Sequence, residues 1–313
     1  MIQVQNLSKR FGPTVAVENV SFEVKRREVV GFLGPNGAGK TTTMRMLTCY
    51  LPPDGGTAKI ADFDIASQSI EVRKRIGYLP ESAPLYTEMG VVDYLDFIGE
   101  VRGLSATQRR QRIQAMIDIC GLGDVIKKDI GELSKGYKQR VGLAQTLIHD
   151  PDVLILDEPT SGLDPNQIIQ MRELIRNIGR EKTVILSTHI LPEVTATCSR
   201  VIIIHKGQIA ADGTPSELAN RLQGGDRLFV TVRGPQPEVE GRMAALTGVK
   251  GLRAIETLGE GRVRYEVRVG DGGDPAERIF QMAAEQRWPL SEIRPDASSL
   301  EDVFIQLTQA DPT

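Results

Sequence analysis

The segment running from Gly31 to Leu47, GFLGPNGAGKTTTMRML, constrains this chain more than any other. Gly34, Gly39, Lys40 and Thr41 satisfy the spacing G-x-x-x-x-G-K-[ST], directly after the apolar run Val29 to Leu33 and ahead of a stretch with helical periodicity. Glycines here let the backbone across Pro35, Asn36, Gly37 and Ala38 turn its amides inward on the β- and γ-phosphates of a nucleotide. A helix starting near Lys40 aims the positive end of its dipole at the same charge. Lys40 adds a full positive charge, Thr41 offers a hydroxyl to Mg²⁺, and Thr42 completes the candidate nucleotide contacts.

A second element agrees with the first. Val153 to Leu156 is a strand-sized apolar run that ends in Asp157 and Glu158, and α/β sheets place ligands at such carboxyl ends. Adjacent strand residues point in different directions, so the two acids suit two tasks: Asp157 in the Mg²⁺ shell, Glu158 as the general base that polarises water.

Between these landmarks, short apolar runs at Val29 to Leu33, Val153 to Leu156, Val184 to Ser187 and Val201 to Ile204 alternate with helical spacing, which predicts an α/β body around a buried parallel sheet. Residues 2 to 24 alternate more weakly and read as antiparallel or edge β-structure. From about Pro84 to Glu132 the strand signal gives way to helical patterning, a helical insertion. Its arginines Arg109, Arg110 and Arg112 read as a solvated helix face rather than a partner surface.

After Leu222, Gly224-Gly225 suggests a linker. The remaining order is strand (Arg227 to Arg233), helix (Pro237 to Leu246), strand (Val249 to Thr257), strand (Arg262 to Val269), helix (Pro275 to Arg287), strand (Pro289 to Arg294) and a final helix. Ser298 and Glu301 have capping-box spacing at the start of that helix. This is the βαββαβ order of a small α+β ferredoxin-like domain. The expected domains are therefore 1–222, with its helical subdomain at about 84–132, and 226–313. In the strand from Arg262, the side chains of Arg262, Arg264 and Arg268 share a face read as solvated.

Composition sets limits. Lys and Arg total 38 against 41 Asp and Glu, a formal net charge of −3, which argues against nucleic acid held by electrostatics. Three scattered cysteines, Cys49, Cys120 and Cys198, suggest reduced thiols rather than a disulfide framework or a zinc site. No run approaches the ~20 apolar residues of a membrane span, and the N-terminus lacks a signal-peptide core. A cytoplasmic chain is expected, acting on a membrane only through another polypeptide.

A third motif names a family. Leu133 to Arg140, LSKGYKQR, resembles the signature of ATP-binding cassette (ABC) ATPases, with Ser134, Lys135, Gly136 and Tyr137 at its centre. Ser161-Gly162-Leu163-Asp164 resembles the loop along the dimer seam, and His189 follows a strand where the family has its switch histidine. Phe11 resembles the aromatic that stacks on adenine. The resemblance implies a P-loop ABC nucleotide-binding domain made of a parallel sheet core, an antiparallel β subdomain and a helical subdomain, and it implies ATP and Mg²⁺ as ligands. It also implies two nucleotide-binding subunits paired head to tail, each signature capping the γ-phosphate on the other subunit's loop.

Three positions depart from the family pattern. Glu81 stands where glutamine is usual; it can ligate Mg²⁺ but cannot donate a hydrogen bond. Lys135 and Tyr137 replace the commoner Gly and Gln, while Ser134 and Gly136 keep the amide nest. Phe11 replaces tyrosine. The signature wording, the Pro80-Glu81 pair and the terminal segment Ser299 to Phe304 resemble the ABC-2-type branch of drug-export and gliding-motility-associated ATP-binding proteins, most of all the latter. That implies an ATPase subunit, peripheral on the cytoplasmic face of the membrane. It is expected to form a homodimer with itself and to drive an integral membrane permease, in the export direction. The rival reading is a soluble mechanical ABC ATPase acting on a cytosolic macromolecule. It is disfavoured by the single phosphate loop and by the lack of a long coiled coil between Glu81 and Ser134.

Overall fold

The computed structural model describes residues 1–221, 227–270 and 275–295 together with Phe304, Leu307 and Thr308. Gly224-Gly225 and the Ser298/Glu301 capping box lie outside the described residues. The chain divides into two compact units, the larger built on residues 1–215 and the smaller on 216–303.

The larger unit has two sheets. Strands β1 (Ile2–Phe11), β2 (Thr14–Val24), β4 (Gly55–Ile60) and β5 (Phe63–Asp64) form an antiparallel sheet in the order β2-β1-β4-β5. The alternation of residues 2 to 24 is thereby explained: Ile2, Val4 and Leu7 are buried while their neighbours face outward. The second sheet is β10-β9-β3-β8-β7-β6, from β3 (Val29–Leu33), β6 (Ile76–Leu79), β7 (Val153–Asp157), β8 (Thr183–Thr188), β9 (Arg200–His205) and β10 (Gln208–Gly213). The first five of these run parallel, and β10 is an antiparallel edge. Every residue of β3, β7 and β8 is buried, so these strands read as continuous apolar runs. Strand β6, which carries the glycine and tyrosine of Ile76-Gly77-Tyr78-Leu79, gave too short a signal to be placed from sequence.

Helices α1 (Lys40–Leu47), α2 (Ser69–Arg75), α5 (Lys135–Leu147), α6 (Pro165–Gly179) and α7 (Leu191–Thr197) flank these sheets in the chain, α3 (Val91–Val101) and α4 (Ala106–Cys120) make up the helical insertion, and α8 (Pro215–Arg221) begins the smaller unit. The insertion becomes helical at Val91 rather than Pro84. Helix α4 begins with a capping box: Ser105 accepts from the Gln108 amide, and Gln108 Oε1 accepts from the Ser105 amide at 2.9 Å.

The arginine run corrects the sequence reading. Arg109 Nε donates to Asp96 Oδ1 at 2.7 Å, pinning α4 to α3. Arg112 donates to the carbonyls of Leu147 and Ile148 at 2.6 and 2.9 Å, meeting the free acceptors at the end of α5. Only Arg110 is a plain exposed side chain. Spacing counted these residues as one face, whereas tertiary partners separate them.

The smaller unit is a four-stranded antiparallel sheet, β12-β13-β11-β14, of strands β11 (Arg227–Arg233), β12 (Val249–Leu258), β13 (Arg262–Val269) and β14 (Leu290–Pro295), with helices α9 (Gln236–Ala244) and α10 (Ala276–Glu285). This is the ferredoxin-like arrangement. Val263, Tyr265 and Val267 enter its core. Arg264 leaves the opposite face and pairs with Glu256 and Glu292 at 3.2 and 3.4 Å.

Between α2, α3 and α5 of the larger unit lies a hollow of about 630 Å³, lined by Arg73, Tyr78, Ile98, Val101, Arg102 and His149 among others. His149 Nε2 meets the Ile76 carbonyl at 3.0 Å. Burial, reinforced by the nearby Arg102 charge, pushes its imidazole down to about 4 from an ordinary 6.5. The unfolded chain therefore binds a proton between about pH 6.5 and 4 that the folded chain refuses, and folding stability rises with pH across that window. Replacing His149 with Gln should remove part of that slope, up to about 3 kcal/mol between the two pH limits. Urea unfolding at pH 4.5 and pH 7 measures it, and identical slopes in variant and parent would refute the assignment.

Candidate active site

Strand register gathers the site. Leu33 of β3 pairs with Thr188 of β8, and Ser187 of β8 pairs with Asp157 of β7, so three strands end at one level. Asp157 ends β7 as a buried side chain outside the cleft lining, and the loop after β3, Glu158 after β7 and His189 after β8 meet there by topology alone. They line a cleft of about 220 Å³ that includes Asn36, Gly37, Gly39, Lys40, Thr41, Thr42, Glu81, Glu158 and His189. That is below the roughly 300 Å³ at which enclosed small-molecule pockets begin, a fit for a phosphate tail rather than a whole nucleotide.

Two glycines fix the loop. Gly39 has φ 105°, and a Cβ there would stand 2.5 Å from the Ala16 carbonyl oxygen. A Cβ at Gly34 would stand 2.4 Å from the Ile204 carbonyl oxygen. Because Gly39 also precedes α1, that helix receives no side-chain cap; the Gly39 carbonyl accepts from the Thr43 amide at 2.9 Å, and no side chain of the cap residue covers the amides ahead of it. A helix start of this kind binds anions.

The charges form a short line. Lys40 is 6% exposed; its Nζ donates to the Gly34 and Pro35 carbonyls at 2.8 and 3.2 Å and lies 3.4 Å from Glu158 Oε1. Glu158 Oε2 lies 3.0 Å from His189 Nδ1. Glu158 holds a left-handed backbone, φ 49°, which for a residue with a Cβ costs on the order of 1 kcal/mol or more. The conformation is held by Glu158 N–H donating to the Ser187 carbonyl and Ser161 N–H donating to the Glu158 carbonyl, both at 3.0 Å.

Asp157 is buried, and its Oδ1 accepts from Thr41 Oγ1 at 3.3 Å and from Ser187 Oγ. Its Oδ2 is buried with no hydrogen-bond partner among the described residues. An orphaned carboxylate oxygen is costly unless something compensates it. Beside a threonine hydroxyl it makes an oxygen-only donor pair of the kind Mg²⁺ takes, with phosphates and water completing the shell. The residues fit that ion. Glu81 reaches the same cleft from an exposed position.

Other sequence candidates lie elsewhere. Phe11 is 50% exposed at the end of β1, with Lys9 Nζ 5.9 Å from its ring centroid, and is absent from the cleft lining. Ser134, Lys135, Gly136 and Tyr137 are absent from it too. Ser134 caps α5 by accepting from the Tyr137 amide at 3.4 Å. A Cβ on Gly136 would meet the Gln167 side chain at 2.6 Å, and one on Gly162 would meet Lys135 Nζ at 2.0 Å. The signature and the loop Ser161 to Asp164 thus form one surface patch. Asp164 is exposed and caps α6 by accepting from the Gln167 amide at 2.9 Å.

Sequence reasoning missed Ser187, Thr188, Thr160 and Glu193. Hydroxyls inside or just after apolar strands and a glutamate in a short helix give no periodic signal; their place one to four residues from Glu158 or His189 is the one available cue.

Comparison with known proteins agrees with this geometry. Residues 17–161 match the family model described as ABC transporter. Nod factor export ATP-binding protein I of Burkholderia orbicola is 37% identical over 98% of this chain and 96% of its own length. Daunorubicin resistance ATP-binding protein DrrA3 of Streptomyces coeruleorubidus is 32% identical over 99% and 96%. A solved ATP-binding subunit of an ABC transporter superposes with a TM-score of 0.65 at 29% identity, covering 71% of this chain and 93% of that one. The chain belongs to the ABC transporter family, as an ATP-hydrolysing subunit that energises transport through a separate membrane-spanning partner.

Proposed function

We propose that two copies of this chain pair head to tail, enclose two Mg-ATP at the seam, and on the cytoplasmic face of the membrane drive a permease in the export direction. The observation that carries the pairing is the division of one site between two places. The phosphate cleft holds Lys40, Glu158 and His189, while exposed Ser134 and Lys135, with the buried Gly136 beside them, stand at the start of α5 outside its lining. A second copy supplies what the first lacks. The exporter reading rests on full-length relatives whose names are Nod factor export and daunorubicin resistance proteins. No helix among the described residues is long and apolar enough to cross a membrane, which suits a separate permease. The hollow beside α3, rimmed by exposed Val101 and Ile70, is the docking place we assign to it.

The chemistry follows from the charges. An arriving triphosphate competes with Glu158 for the Lys40 ammonium, because a phosphate tail offers Lys40 more negative charge than one carboxylate. Glu158, released from Lys40 and still held by His189, is free to accept a proton from water in line with the γ-phosphate. Thr41, Asp157 and Glu81 would hold Mg²⁺, which would supply positive charge to offset that of the phosphates. Each triphosphate ties one subunit's Lys40 to the partner's signature, and cleavage removes the tie; the two dimer states give the permease two states.

Glu158→Gln removes the base and keeps the shape. It should hydrolyse ATP at least about 100-fold more slowly and elute as a stable dimer in Mg-ATP; a monomer with native turnover would sink the reading. Asp157→Asn should raise the Mg²⁺ concentration for half-maximal hydrolysis by on the order of tenfold or more. An unchanged Mg²⁺ titration would remove Asp157 from the metal site.

A further inference from the structure

Two groups of the cleft, Glu158 and His189, sit on separate loops, one leaving β7 and one leaving β8. Both loops are tied to a single carboxylate that lies outside the cleft lining. Glu193 of α7 is 1% exposed. Its Oε1 accepts from Thr160 Oγ1 at 2.6 Å, and its Oε2 accepts from Thr188 Oγ1 at 2.8 Å. Thr160 follows Glu158 by two residues and Thr188 immediately precedes His189. Thr188 Oγ1 also accepts from the Ile190 amide at 3.0 Å, so the turn bearing His189 is bonded on both sides of that residue. Above this strut, Glu158 Oε2 meets His189 Nδ1 at 3.0 Å and closes a ring of contacts.

Packing alone does not explain a glutamate here. Burying a carboxylate is costly unless its oxygens are hydrogen-bonded, and an apolar side chain of similar size fills the same space without that cost. What the carboxylate adds is direction: two oxygens, each bound to one hydroxyl, fix two loops at one separation.

From this we infer that Glu193 is the positioning residue of the site, setting the distance and orientation of Glu158 relative to His189 through Thr160 and Thr188. The same strut joins the seam to the cleft, because Thr160 opens the segment running to Asp164, and the Leu163 amide donates to the Thr160 carbonyl at 3.2 Å. Displacement of that segment by a pairing subunit is felt at His189 through one side chain. The inference rests on the roles proposed above for Glu158 and His189.

The test uses the full-length chain, with Glu193→Ala and Glu193→Gln made in the parent and in a His189→Ala background. Steady-state ATP hydrolysis gives kcat and KM, and ADP binding is measured separately. Glu193→Ala should lower kcat about 10- to 100-fold, with KM and ADP affinity within about twofold, since the phosphate loop is untouched. Glu193→Gln, which keeps an acceptor and the shape, should recover most of the loss. In the His189→Ala background the Glu193→Ala loss should shrink below about twofold, the non-additivity of groups that act through one another. Where Glu193→Ala does not fold, Thr188→Val and Thr160→Val carry the same split between kcat and KM. A loss that falls equally on ADP affinity and kcat, is not rescued by Glu193→Gln, and stays full size without His189 would overturn the inference. Native turnover by both Glu158→Gln and His189→Ala would instead remove the roles on which the inference rests.

Discussion

Three buried parallel strands that end at one level are the constraint on which everything else in this molecule depends. With β3 hydrogen-bonded to β8 and β8 to β7, a phosphate loop, a pair of acids and a histidine that lie far apart in sequence become neighbours. The register admits little slack, because every residue of these strands is buried and a slip by one residue would drive each side chain into the packed layer on the opposite face. The site is therefore as rigid as the core beneath it.

On that frame the electrostatics are arranged to be exchanged. Lys40 is satisfied by two loop carbonyls and Glu158, and Glu158 by Lys40 and His189. In the proposed mechanism a phosphate replaces Glu158 at Lys40 while His189 keeps Glu158, so no buried charge is left bare. Asp157 differs, with one oxygen held by Thr41 and Ser187 and the other buried without a partner among the described residues. The strained Glu158 backbone and the Glu193 strut belong to the same design: groups that must change partners are mounted on loops that do not.

Much of this was legible in the sequence because it is periodic or contiguous. Val29 to Leu33 and Val153 to Asp157 announce themselves as apolar runs followed by a fixed motif, and the alternation from Arg262 to Val269 places Val263, Tyr265 and Val267 in the small core. What escaped is non-local. Arg109 and Arg112 look like a solvated stripe until Asp96 and the end of α5 are brought against them. Phe11, expected from the family resemblance to stack on adenine, lies exposed at the end of β1 and outside the cleft lining. Ser187, Thr160 and Glu193 matter only because two loops meet, and no spacing rule contains that meeting.

The central claim is that a working site needs two chains, and mixed dimers test it most directly. Combine a Lys40→Ala subunit, whose loop is lost, with a Ser134→Arg subunit, whose signature is lost, and follow phosphate release in a single turnover. Head-to-tail pairing puts both lesions in one site and leaves the other intact, so the mixture should release phosphate well above either parent. Phosphate release no greater than that of the separate parents would contradict a site shared between subunits.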